Sequence, residues 1–123
     1  YNADHVLTHH LVHHCAMQSC LPVIGRRAPL ASHPAVFCVE PHGTSLFAPS
    51  HFVDVTAVEE EKVALLCRHR SQEIAMRRAV SAGFDDLCRV PDAYWGQKVG
   101  CRYAEPFVPM SGRGGTKPFA VLP

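Results

Sequence analysis

The sequence predicts a domain of mixed helix and strand, and three observations predict it. Residues 4–17 contain no Pro or Gly and carry Leu7, Leu11 and Cys15 at one-turn intervals, the spacing of a helix. Residues 35–39, Ala-Val-Phe-Cys-Val, make the short apolar run of a buried strand, which Glu40-Pro41-His42-Gly43 stops. A second extended piece, residues 52–55, runs directly into Thr56-Ala57-Val58-Glu59, a sequence that starts a helix.

Taken in order, the first helix begins near Asp4 and ends before Pro22 and Gly25, and residues 26–34 read as loop. Thr56 and Glu59 have capping-box spacing: the hydroxyl meets the backbone of the third helical residue and the carboxylate reaches back. Val58, Leu65, Leu66, Ile74 and Val80 extend that helix over residues 57–81, with a break at 69–71 as the alternative and Gly83 as its C-cap. After Pro91 the chain reads as irregular. Pro106, Pro109, Gly112, Gly114, Gly115 and Pro118 divide it into a domain over residues 1–109 and a flexible tail over 110–123. No internal repeat is present.

Composition narrows the function classes. With 123 residues, 47% hydrophobic content and a formal charge of +1, the chain reads as one soluble globular domain or part of one. No apolar run approaches the roughly 20 residues that cross a bilayer, and the start has no basic and apolar leader pattern, so the expectation is a cytoplasmic protein without a membrane partner. Arg26-Arg27, Arg68, Arg70, Arg77-Arg78 and Arg113 are interleaved with acids and form no stripe, which argues against nucleic acid. Cys15, Cys20, Cys38, Cys67, Cys88 and Cys101 lie among apolar segments with no Cys-x-x-Cys spacing; they read as buried reduced thiols.

The chemistry legible from residues alone lies at the start. His5, His9, His10, His13 and His14 include three pairs one helical turn apart, each able to place two imidazoles on one metal ion. Solvated helix histidines are the competing reading for the last four. His5 differs, because it follows Asp4 where loop gives way to helix, a boundary at which a ligand is held from behind while its metal faces a cleft.

Four pieces of the sequence then carry a family resemblance. Asn2-Ala3-Asp4-His5 resembles the second metal motif, His-Pro-Asp-His, of the LmbE/PIG-L de-N-acetylase family. Phe52-Val53-Asp54-Val55-Thr56 resembles its Val-Asp-Ile-Thr segment. Cys67-Arg68-His69-Arg70-Ser71-Gln72 resembles its Cys-His-x-Ser-Gln signature with one residue more, and Tyr103-Ala104-Glu105-Pro106-Phe107 its closing Ala-Glu-x-Phe. The resemblance implies an α/β fold, a Rossmann-like, mainly parallel sheet with flanking helices, of which this chain is a C-terminal portion. It also implies Zn2+ held by His5 together with a His and an Asp from an early Ala-His-Pro-Asp-Asp-Glu motif. No His-Pro-Asp-Asp occurs in this sequence, and His33-Pro34 is followed by Ala35-Val36.

Asn2 stands where the family has a His; it can donate a hydrogen bond to developing negative charge but cannot act as an acid. Asn2 and Asp4 are the candidate catalytic residues, Asp4 as the group that orients Asn2, and His5 is the candidate metal ligand. Glu40 and His42, at the end of a predicted strand, are candidate substrate-binding residues, with a solvated strand-end loop as the alternative. His69, Arg70 and Gln72 read as structural, Asp54 as a strand-end or capping carboxylate, Glu105 as a partner for an Arg, and Tyr94 and Trp95 as loop aromatics that line an opening or cover core.

Three functions follow. The first is a zinc hydrolase removing an N-acyl group from an amino sugar or similar small amide. The second is a hydratase or lyase of the same family acting on an unsaturated carboxylate, toward which Asn2 and Glu40-Pro41-His42 lean. The third is a non-catalytic fragment or His-rich metal-binding module. A small-molecule substrate, and a homo-oligomer or partner chain completing the sheet, are the expected partners.

Overall fold

A computed structural model describes residues 2–22, 25–41 and 46–110. The element order is α1 (Ala3–Gln18), β1 (Phe37–Val39), β2 (His51–Asp54), α2 (Glu59–Leu66), α3 (Arg70–Val80), α4 (Phe84–Val99) and β3 (Ala104–Pro109). The described residues divide into two compact units, 2–38 with 109–110, and 39–108. The expected tail, from Ser111 onward, lies outside the described residues.

In the first unit α1 is as predicted to within a residue at each end. Asn2 caps it, its Oδ1 accepting from the Asp4 backbone N–H at 3.2 Å. The following segment folds back on the helix end: the Leu30 N–H donates to the Ser19 carbonyl at 2.9 Å, and His33 Nδ1 lies 3.3 Å from the Ala16 carbonyl. None of the residues of α1 is buried.

The second unit carries the core. Val55, Val63, Cys88 and Ala104 are its buried apolar residues, and Glu59 and Asp92 are buried with them. The helix expected over 57–81 divides into α2 and α3 at Cys67–His69, close to the predicted break. Gly83 does not cap α3; Ser81 takes the left-handed position there, with φ 59°, and Gly83 is the N-cap of α4.

The stretch read as irregular after Pro91 holds the second half of the 16-residue α4, which runs through Pro91, and then β3. Proline removes one backbone donor from such a helix. Glu73 supports the start of α4, its Oε2 accepting from the Phe84 N–H at 2.7 Å, while Arg77 bridges Glu73 and Asp85. Gly96 lets the chain return closely: a Cβ there would stand 2.6 Å from the Arg102 carbonyl oxygen.

The fold class requires correction. The strands form a small three-stranded sheet in the order β1-β3-β2, and β2 runs antiparallel to β3, with Phe52 opposite Pro106 and Asp54 opposite Ala104. This is not the Rossmann-like, mainly parallel sheet implied by the motif resemblance. Strands of a parallel sheet are covered on both faces and read as continuous apolar runs, whereas β2 has exposed ends at His51 and Asp54 and only partly covered residues between them. Pro106 costs no bond to β2, because the odd-numbered residues of β3 face that strand: Phe107 accepts from the Ser50 N–H and Tyr103 from the Val55 N–H.

The capping box is the second correction. Asp54 Oδ1 accepts from the Thr56 N–H at 2.9 Å, and the Thr56 hydroxyl accepts from the Tyr103 N–H at 3.1 Å. Val58, not Thr56, is the N-cap of α2. Thr56 thus continues the strand pairing toward β3, and Glu59 is drawn into the core. Asp54 is the strand-end carboxylate expected, its acidity strengthened by the side-chain and backbone hydrogen bonds of Thr56.

Candidate functional site

The residues that sequence reasoning singled out fall in different places. Asn2, Asp4 and His5 occupy the exposed start of α1 in the first unit. Asp4 meets Asn2 through its backbone N–H, so the contact is a helix cap and not a carboxylate orienting an amide. The cap occupies the amide oxygen, which makes the Asn2 NH2 group the end available for donation.

Further along α1, the His9 ring centroid lies 5.5 Å from that of His10 and 6.5 Å from that of His13, the latter pair stacked. Among the described residues, no three of His, Cys, Asp and Glu converge in a way that could hold a metal ion. An open groove of about 480 Å³ lies at the other end of α1, lined by His14, Cys15, Gln18, Arg26 and Arg27; of the candidate histidines only His14 borders it, and Asn2, Asp4, His5 and Glu40 do not.

Glu40 belongs to the second unit, where its Oε2 accepts from the Trp95 indole N–H at 2.7 Å. Trp95 is on α4 and not in a loop; its ring packs 5.7 Å from Phe52 and 4.8 Å from Tyr94. Glu40 is thereby engaged in holding α4 to the segment after β1. His42 lies outside the described residues. His69 is the N-cap of α3 and its carbonyl accepts from the Glu73 N–H, a structural role as read from the sequence.

A cluster that sequence reasoning missed lies between α2, α4 and β3. The Lys62 ammonium contacts Asp92 on α4 and Glu105 on β3, the latter at 2.5 Å. Glu105 therefore pairs with a lysine and not with an arginine. Glu59 is 1% exposed and Asp92 4%. No hydrogen-bond donor reaches either Glu59 carboxylate oxygen. Burial raises the pKa of Glu59 above its ordinary value, and the negative charge of Asp92 adds to this, against the opposing charges of Lys62 and Arg89.

Burial pulls Lys62 the other way, but its hydrogen bonds to Asp92 and Glu105 outweigh that and hold the ammonium charged. Outside the cluster Arg89 makes a two-pronged pair with Glu60, both contacts 2.7 Å. The available sequence signal was positional: Glu59 and Val63 are four apart and share the inward face of α2, so a carboxylate stands where an apolar residue would ordinarily be.

The cysteines are all free, as expected, but only Cys88 is buried; Cys15 is exposed and Cys20, Cys38, Cys67 and Cys101 are half-buried. Among the described residues no helix is long and apolar enough to cross a membrane.

No family model matches the chain, and no curated protein matches it. Among solved structures the chain is similar to GalB, the 4-carboxy-2-hydroxymuconate hydratase of Pseudomonas putida KT2440, at 24% sequence identity and a TM-score of 0.66. The likeness covers 98% of this chain and 51% of that one, so the chain spans about half the length of the hydratase and shares its fold over that half.

Proposed function

We propose that this chain forms part of a hydratase that adds water across the double bond of an unsaturated carboxylate. The observation that carries the reading is the structural likeness to GalB over 98% of the chain. The chemistry of Asn2 supports it. When hydroxide adds to one alkene carbon conjugated to a carbonyl, the electron pair moves onto the carbonyl oxygen as an enolate, which then takes a proton at the neighbouring carbon. An enolate oxygen needs a hydrogen-bond donor and not an acid, and the amide NH2 of Asn2 supplies one while its oxygen caps α1. Amide hydrolysis, by contrast, must protonate a leaving nitrogen, which Asn2 cannot do.

Zinc belongs to the proposal through the resemblance of Asn2-Ala3-Asp4-His5 to a metal motif, with His5 as the ligand. The described residues do not by themselves form such a site, since no three ligands converge among them. Zinc at His5 therefore requires ligands from outside them, and no step of the reaction above is routed through the ion. The second reading, an N-acyl hydrolase, rests on the same motif and on the three later motif pieces.

The test is to offer the protein an unsaturated dicarboxylate, following loss of its ultraviolet absorbance, and in parallel an N-acetylated amino sugar, following acetate release. Absorbance loss without acetate supports the hydratase; acetate release alone transfers the assignment to the hydrolase. Asn2→Asp separates the cap from the chemistry, because Asp caps a helix as well as Asn but has no NH2. Its expected effect is unchanged helicity with a rate lower by about 10²-fold, the usual loss for one oxyanion donor. An unchanged rate would remove Asn2 from the mechanism. Retention of zinc by the protein and its loss in His5→Ala would support the metal assignment, and equal retention would overturn it.

A further inference from the structure

The carboxyl group of Glu59 presents a problem of charge. It is enclosed at 1% exposure, and neither of its oxygens is reached by a donor, an arrangement that costs a carboxylate far more than a carboxylic acid. Lys62, the nearest cation on its own helix, is already committed to Asp92 and Glu105. From α4 the groups facing Glu59 are Asp92, Arg89 and Cys88, and Arg89 is engaged with Glu60. On β2, Asp54 is taken up by Thr56 at the strand end. Asp92 is thus the neighbour with acceptor capacity and without a competing donor other than Lys62.

We infer that Glu59 keeps its proton at neutral pH and donates it to Asp92, forming an acid–carboxylate pair that, with Lys62 joining Asp92 to Glu105, ties α2, α4 and β3 together by a link that alkali releases. A protonated Glu59 has one O–H to give, and Asp92, ionised by Lys62, has a lone pair to receive it. The pair satisfies the buried group without any further donor, and with Lys62 it gathers α2, α4 and β3.

The sign follows from linkage. The raised pKa means that above the ordinary carboxyl value of 4.5 the folded chain holds a proton that the unfolded chain has released. Stability from this group is complete below that value and is lost as pH rises through the folded value, with a slope of up to about tenfold in the folding constant per pH unit.

The experiment is urea unfolding of the protein and of Glu59→Gln from pH 5 to pH 9, read by the fluorescence of Trp95, the single tryptophan. Gln keeps the shape and supplies a permanent donor to Asp92. The expected result is a folding constant that falls with pH in the parent relative to the variant, which is at least as stable at pH 8. Parallel curves would overturn the inference. Should the variant not fold, the carboxyl carbon-13 resonance of Glu59 in the parent decides: titration well above 4.5 supports the shared proton, and titration at or below it sinks the idea.

Discussion

Two helices of equal length behave in opposite ways. α1 and α4 each have 16 residues, yet α1 buries none of them while α4 buries Cys88, Asp92 and Gly96. Apolar content does not explain the difference, since α1 carries Val6, Leu7, Leu11 and Val12. Leu7, Leu11 and Cys15 recur every fourth residue on one side of α1, while Val6 and Val12 point elsewhere, and no residue of that line is buried. On α4 the buried positions 88, 92 and 96 recur every fourth residue along one line, and that line meets α2 and the chain leading to β3. One helix leaves its side chains exposed; the other holds a structure together.

The contrast can be broken most strongly at Lys62. Lys62→Met keeps the aliphatic stem but leaves Asp92 buried and Glu105 without its cation. The expected cost is about 3 kcal/mol, the usual penalty for removing one partner of a buried pair, measured by urea unfolding. A cost below about 1 kcal/mol would mean that the cluster behaves as a solvated surface pair. Gly96→Ala follows in size. Its Cβ would meet the backbone carbonyl oxygens of Arg102 at 2.6 Å and Cys101 at 2.8 Å, so α4 must part from the turn to β3, at about 2 kcal/mol on the same assay. Stability equal to that of the parent would show that the close approach relaxes freely.

How much of this was legible in the sequence depends on whether local rules decide the feature. The helix at Asp4 and the two strands at Phe37 and Phe52 were legible, because periodicity and flanking breakers act over a few residues. Strand direction was not: nothing local in Phe52-Val53-Asp54 says which way its partner runs, and the pairing is made 50 residues away with Ala104–Pro109. The Thr56 and Glu59 pair failed as a capping box for the same reason, since the Tyr103 backbone and the core competed for both side chains and won. α4 was hidden by Pro91, which locally argues for a break, although the helix runs through it and buries Cys88, Asp92 and Gly96. At the candidate site, the role of Asn2 as helix cap emerged only from the geometry.

The smallest expected effect tests the other side of the comparison. Leu7 and Leu11 are 61% and 63% exposed, so Leu11→Ser removes almost no apolar area from contact with protein. Folding free energy should change by no more than about 0.5 kcal/mol, the range of surface substitutions, when measured beside Lys62→Met under the same conditions. If Leu11→Ser instead costs about 2 kcal/mol or more, Leu11 rests against an apolar surface in solution. α1 would then be an inner helix of a larger arrangement, and the start that carries Asn2, Asp4 and His5 would face protein as well as substrate. The same measurement therefore decides whether the candidate site stands on a free helix or on one side of an interface.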